Sequence, residues 1–145
     1  MSDAPHILIV ESPYYKDIAD HLARGVIDAL EAAGVTYERI SVPGALEIPG
    51  AIKLASKSGK YDGYAALGCV LRGETSHYDI VAGESARALM DLTVNYDLAV
   101  GNGILTCDTA EQAVVRADPA QKNKGQDVAN AVLALLSIKL KSGTA

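Results

Sequence analysis

His6-Ile7-Leu8-Ile9-Val10 is apolar at every position after its first residue. A strand buried on both faces needs that pattern, because neither row of side chains meets water. After the turn-like Ser12-Pro13, the segment from about Lys16 to Ala33 carries Ile18, Leu22, Val26, Ile27 and Leu30 at three- and four-residue spacing, and Gly34 stops it. A doubly buried strand followed at once by an amphipathic helix begins a sheet covered by helices.

The same alternation continues along the chain. Val35 to Val42 reads as a second strand closed by Pro43-Gly44, and roughly Leu46 to Ser58 as a helix whose Pro49 is tolerated only in the first turn. Gly63 to Leu71 is the third strand. The turn Arg72-Gly73-Glu74-Thr75-Ser76 leads into a helix from about His77 to Val94, with Ser76 and Asp79 spaced as a capping box in which Asp replaces Glu or Gln. Leu98 to Leu105 forms the fourth strand. The remainder is helical, broken near Asp118-Pro119, with a last helix from about Gly125 to Lys139. Strands separated by helices pair in parallel through right-handed crossovers. The expectation is one domain over residues 1–145, an α/β three-layer sandwich with a four-stranded parallel sheet flanked by helices, flavodoxin-like in architecture. Ligands in such folds collect beyond the carboxyl ends of the strands. Those ends are Glu11 to Tyr15, Pro43 to Glu47, Cys69 to His77 and Asn102 to Cys107.

With 145 residues, 49% of them apolar and 21% charged, the chain buries a proper core, which excludes a disordered segment. Its 13 Lys and Arg against 18 Asp and Glu give a formal charge of −5. That balance offers no footprint for nucleic acid or an anionic membrane, so a small molecule or a protein partner is expected. Cys69 and Cys107 make no disulfide framework. No run approaches the ~18 apolar residues of a membrane span. Met1-Ser2-Asp3-Ala4-Pro5 lacks the basic and apolar parts of a signal peptide, and a cytoplasmic location is expected.

The chemistry concentrates at Gly68-Cys69-Val70-Leu71-Arg72-Gly73-Glu74-Thr75-Ser76-His77-Tyr78-Asp79. Free N–H groups at a helix start attract an anion, Thr75 and Ser76 add hydroxyls, and His77 beside them exchanges protons near neutrality. A plain capped helix with an exposed histidine suits the same residues. Arg116, Lys122 and Lys124 form a basic cluster in an acidic protein, and arginine's planar fork suits phosphate. A solvated basic loop is the ordinary alternative. Glu47 can accept hydrogen bonds from a polyol or an amine, or simply favour a helix start. Tyr14 and Tyr15 offer a planar heterocycle a stacking face, or pack on the following helix. His6, His21 and His77 are scattered, and neither cysteine sits at ligand spacing, so no metal site is expected. Glycine-rich loops for nucleoside triphosphates or dinucleotides are missing as well.

Several ordered motifs also carry a family likeness. They are Val42-Pro43-Gly44-Ala45-Leu46-Glu47-Ile48-Pro49, then Ala66-Leu67 running into the His77 segment above, then Gly103-Ile104-Leu105-Thr106, Glu111-Gln112-Ala113 and Asn123-Lys124-Gly125. On these the chain resembles the 6,7-dimethyl-8-ribityllumazine synthase family over nearly its whole length. The resemblance implies condensation of 5-amino-6-(D-ribitylamino)uracil with 3,4-dihydroxy-2-butanone 4-phosphate in riboflavin synthesis, through imine formation, phosphate loss and ring closure. No cofactor and no metal are implied. His77 matches the family's proton-transfer histidine, and Glu74, Thr75 and Arg116 match its phosphate-binding groups. Ala45, Leu46 and Glu47 match the ribityl-side loop, Cys69, Val70 and Leu71 the strand end that reads the pyrimidine edge, and Lys124 a lysine on the pyrimidine side. Tyr14 stands where the family commonly has a stacking Phe and keeps the aromatic face. Tyr15 stands where Asn is frequent, and Asn102 where an apolar or aromatic residue is common, so both alter contacts to the pyrimidine edge. The implied assembly is a homopentamer with its site between neighbouring subunits, and a decamer or a sixty-subunit shell stays open.

Two other functions fit parts of this pattern. An archaeal-type riboflavin synthase transfers a four-carbon unit between two lumazines and has no phosphate to bind, which Glu74, Thr75 and Arg116 oppose. A non-catalytic flavin- or lumazine-binding protein would leave His77 without a task.

Overall fold

The computed structural model describes residues 4–143, so Met1-Ser2-Asp3, part of the stretch on which the signal-peptide expectation rests, lies outside the described residues. Along the chain run β1 (His6–Glu11), α1 (Lys16–Ala32), β2 (Thr36–Ser41), α2 (Ile48–Ser56), β3 (Gly63–Leu71), α3 (His77–Tyr96), β4 (Ala99–Cys107), α4 (Ala110–Ala117) and α5 (Lys124–Lys141). A single 3-10 turn, Ala45–Glu47, precedes α2. The four strands form one parallel sheet in the order β2-β1-β3-β4. This is the expected flavodoxin-like three-layer sandwich.

Both faces of β1 are dry, as its unbroken apolar run requires. Ile7 and Ile9 pack with α1, α4 and α5 on one side, through Leu22, Val26, Ala113, Val128 and Val132. Leu8 and Val10 pack with α2 and α3 on the other, through Ile48, Ile52, Val81 and Leu89. Each such fully buried aliphatic side chain stabilises the fold by about 1.5–3 kcal/mol. Helices therefore cover opposite faces on either side of the β1–β3 pair, and a crevice opens beyond the carboxyl ends of those two strands. At the edge of the sheet, Gly125 lets α5 close on α1: a Cβ there would come within 2.3 Å of the Leu22 carbonyl.

β1 runs one residue past the apolar stretch. Glu11 is 5% exposed and is held by the Arg39 fork of β2, with Nε donating to Oε2 at 2.7 Å and Nη2 to Oε1 at 3.1 Å. A carboxylate is tolerated in that position because its charge is neutralised and both oxygens are bonded.

At the start of α3 the structure corrects one expectation. The capping box of Ser76 and Asp79 does not form: Ser76 has φ −74° and ψ 2° and makes no side-chain cap bond. An N-cap side chain reaches back only from an extended backbone, which Ser76 lacks. Asp79 turns instead to Arg72, 3.6 Å away. A complete box stands at α4, where the Gln112 N–H donates to Thr109 Oγ1 and the Thr109 N–H donates to Gln112 Oε1, both at 3.2 Å. α3 also runs on to Tyr96 and ends at Asp97, whose left-handed φ of 60° closes the helix.

Candidate functional site

Three strand ends converge on the crevice between β1 and β3. Ser12, Tyr14 and Tyr15 follow β1, Pro43, Gly44, Ala45 and Glu47 follow β2, and Cys69, Val70 and Leu71 close β3. Together with His77 and Val81 from α3 they line a cavity of about 420 Å³. The arrangement follows from the sequence: Pro43-Gly44 stops β2, the 3-10 turn at Ala45–Glu47 swings inward, and Pro49 starts α2 without losing a hydrogen bond.

Within this cavity the polar and flat groups are distinct. Tyr14 is 77% exposed and meets the Tyr15 ring edge-on, with centroids 5.0 Å apart and planes at 81°, which leaves its face open to a planar ligand. His77 is exposed in the first turn of α3, and its backbone N–H donates to Thr75 Oγ1 at 3.2 Å. Burial, and then the neighbouring Cys107, push the Cys69 thiol up to about 12. A thiol that stays protonated is no nucleophile at neutral pH, so Cys69 shapes the wall. Burial likewise raises the Tyr15 phenol, with smaller contributions from Cys69 and Tyr14.

A second cavity of about 430 Å³ wraps the edge strand β4. Asn102, Ile104 and Thr106 supply one wall, and Arg116 of α4 with Lys122 and Lys124 supplies the other. Asp127 is the carboxylate among these three cations. Arg116 Nη1 donates to the Gln112 carbonyl of its own helix at 2.9 Å, which holds the guanidinium along α4 with other donors free for an anion.

Of the residues singled out from the sequence, Tyr14, Tyr15, Ala45, Glu47, Cys69, Val70, Leu71 and His77 meet in the first cavity. Asn102, Arg116, Lys122 and Lys124 meet in the second. The two cavities share no lining residue. Leu46, Glu74 and Thr75 line neither: Leu46 is 44% exposed, and Glu74 and Thr75 lie on the exposed loop before α3. Val81 and Asp127 were not anticipated, and Ser12 and Thr106 only as members of the strand ends where ligands were expected. Ser12 had a signal in its position just beyond a buried strand, whereas Thr106 and Asp127 become neighbours only through the packing of α5 on β4.

Among the described residues no group of three or more His, Cys, Asp or Glu side chains is arranged to hold a metal ion. Nor is any of their helices long and apolar enough to cross a membrane.

Fold and cavities together define a flavodoxin-like α/β protein with one hollow of tyrosines, strand backbone and an imidazole and a second lined by three cations. The family model for 6,7-dimethyl-8-ribityllumazine synthase matches residues 4–139. A 6,7-dimethyl-8-ribityllumazine synthase from Bartonella bacilliformis is 53% identical over 141 residues, 96% of this chain and 93% of the relative. One from Novosphingobium aromaticivorans is 57% identical over 132 residues, covering 91% and 94%, and one from Methylorubrum populi is 56% identical over 138 residues, covering 92% and 82%. The chain belongs to the 6,7-dimethyl-8-ribityllumazine synthase family. These relatives favour neither the riboflavin synthase nor the non-catalytic binding protein.

Proposed function

We propose that one active site of this enzyme is divided between two neighbouring copies of the chain, with His77 on one and Arg116 on the other. The reaction is the condensation of 5-amino-6-(D-ribitylamino)uracil with 3,4-dihydroxy-2-butanone 4-phosphate to 6,7-dimethyl-8-ribityllumazine and phosphate, a transferase step of riboflavin biosynthesis. The observation that carries the divided site is the separation of His77 and Arg116 into cavities with no common wall. Proton transfer and phosphate departure occur on one substrate adduct, so the two side chains must face one ligand.

Each part of the ligand then has a matching surface. Tyr14 stacks on the pyrimidine, backbone groups of Cys69, Val70 and Leu71 meet its edge, and Ala45, Leu46 and Glu47 receive the ribityl hydroxyls. From the neighbour, Arg116 holds the phosphate, Lys124 lines the pyrimidine side, and Asn102 meets the ring edge. Glu74 and Thr75 complete the phosphate turn, supported by the hydrogen bond from the His77 N–H to Thr75 Oγ1. Most of the rate comes from alignment, because a poised amine and ketone need no special nucleophile. Imine formation, loss of phosphate and ring closure each move a proton, and His77 carries it.

A homopentamer is the minimum assembly in this reading, with decamer and sixty-subunit shell as larger forms of the same ring. Residues 1–145 act as one cytoplasmic domain whose partners are its two substrates and copies of itself. The test incubates the protein with the aminopyrimidine and the butanone phosphate while lumazine absorbance and released phosphate are followed together. Equal rates of the two are expected. Riboflavin formed from lumazine alone, or binding with no turnover, contradicts the reading. Sedimentation or native mass then counts the copies per particle.

A further inference from the structure

The N-cap residue of α3, Ser76, makes no side-chain bond, and the His77 N–H that opens the helix donates to Thr75 Oγ1 at 3.2 Å. That bond holds the backbone of the first turn and leaves the rotation of the His77 side chain to other contacts. Arg72 leaves β3 on a last ladder bond, its N–H donating to the Cys107 carbonyl at 3.0 Å, so its backbone is fixed to the sheet. Its side chain then holds three groups. Nε donates to Asp108 Oδ1 at 2.9 Å, Cζ lies 4.3 Å from the centroid of the Tyr78 ring, and Nη1 is 3.6 Å from Asp79 Oδ1.

Tyr78 and Asp79 are the two residues after His77, and on a helix successive side chains stand about 100° apart. Holding positions 78 and 79 therefore sets the rotation of position 77. Asp108 anchors this clamp to the corner between β4 and α4. We infer that Arg72 is a positioning residue for the reaction, fixing the rotation and height of His77 through Tyr78 and Asp79 while Asp108 braces it against the sheet. The inference rests on the role of His77 given above and extends it to a residue that role does not mention.

Two physical facts separate this role from a merely structural one. Arg72, Asp79 and Asp108 are half or more exposed, with side-chain exposures of 50%, 65% and 63%, and exposed pairs add little to stability. Catalysis, by contrast, is steep in geometry, where a shift of about 1 Å costs on the order of 10²-fold. Loss of the clamp should thus lower kcat far more than it lowers melting temperature. Lysine at this position keeps the charge but lacks the fork that bonds Asp108 while its carbon stands over the Tyr78 ring, so it should restore only part of the rate.

The experiment measures kcat, both KM values, melting temperature and assembly size for Arg72→Ala, Arg72→Lys, Asp108→Ala, the Arg72→Ala/Asp108→Ala double variant and His77→Ala. Expected for Arg72→Ala is a kcat lower by about ten- to a hundredfold, with both KM values within about twofold, and with melting temperature and assembly kept. Arg72→Lys should fall between it and the wild type. Asp108→Ala should show the same pattern, and the double variant should be no slower than the slower single one, because both remove one clamp. Unchanged kcat in Arg72→Ala overturns the inference, as does a multiplicative loss in the double variant. A raised KM for the butanone phosphate also overturns it, since Arg72 would then be a phosphate ligand. If Arg72→Ala does not assemble, Arg72→Lys and Asp108→Ala decide by the same criteria. Full activity in His77→Ala removes the underlying role of His77 itself, whereas a slow His77→Ala beside a fast Arg72→Ala removes only the clamp.

Discussion

The two cavities of this chain are almost equal in size, about 420 and 430 Å³, and opposite in chemistry. The crevice at the ends of β1 and β3 is built from tyrosines, a loop carboxylate, strand backbone and one imidazole. The hollow around the edge strand β4 is lined by Arg116, Lys122 and Lys124. The first suits a flat, uncharged ring bearing hydroxyls, and the second suits an anion. A reaction that joins such a ring to a phosphate ester needs both, and the proposed divided site pairs the first hollow of one chain with the second hollow of a neighbouring copy. Heterologous contacts of this kind close into rings when the rotation allows.

Substitutions on either side sharpen that division. His77→Ala should cost the most, lowering kcat by about 10²–10⁴-fold with the KM for the phosphorylated substrate little changed; steady-state kinetics at saturating substrate reads it. Arg116→Ala should raise the KM for the butanone phosphate by roughly 10- to 100-fold, which corresponds to loss of one charge-assisted contact worth about 1.5–3 kcal/mol. Removal of the open ring in Tyr14→Ala should weaken the aminopyrimidine by up to about tenfold, and Tyr14→Phe should restore it, since stacking contributes about 0.5–1.5 kcal/mol and the hydroxyl is not required. A profile in which Tyr14→Ala instead weakened the phosphate ester would break the division.

The opposite end of the sheet supplies a control. There Glu38 accepts hydrogen bonds from Lys60 and His6 at 2.8 and 2.7 Å and from Tyr61 at 3.1 Å. These bonds, Lys60 first, lower its carboxyl from 4.5 to about 2. A carboxyl depressed in the fold adds stability above its unfolded value, and that stability is lost as pH falls through the folded one. The wild type should therefore lose stability between pH 4.5 and about 2, and Glu38→Gln should be flatter across that window in acid-unfolding curves. Its kcat and KM values should be unaltered, because this cluster touches neither cavity.

The fold was legible where burial writes itself into local pattern. β1 and β3 are doubly buried and read as unbroken apolar runs, and α1 showed its stripe. The edges were less legible: Glu11 extends β1 because Arg39, far along the chain, neutralises it. The Ser76–Asp79 spacing suggested a capping box, but Arg72 draws Asp79 away, and spacing alone does not reveal that competitor. The Thr109-Ala110-Glu111-Gln112 box carries the ordinary signature, but the sequence reading passed over it. For the site, the motifs named most of the lining of both hollows but also Leu46, Glu74 and Thr75, which line neither, and they missed Val81 and Asp127. That the lining residues fill two separate hollows depends on which face of β4 each helix covers, a property of packing.

Co-assembly of His77→Ala and Arg116→Ala chains tests the divided site most directly. With the butanone phosphate held well below the raised KM of Arg116→Ala each variant alone is slow, but in a ring mixed at random a wild-type His77 half meets a wild-type Arg116 half at about one junction in four, by the geometry of a heterologous ring. Turnover recovering to about a quarter of the wild-type rate is the predicted result. Turnover equal to the average of the two separate variants would mean that both side chains serve a site within one chain, and the account would be wrong.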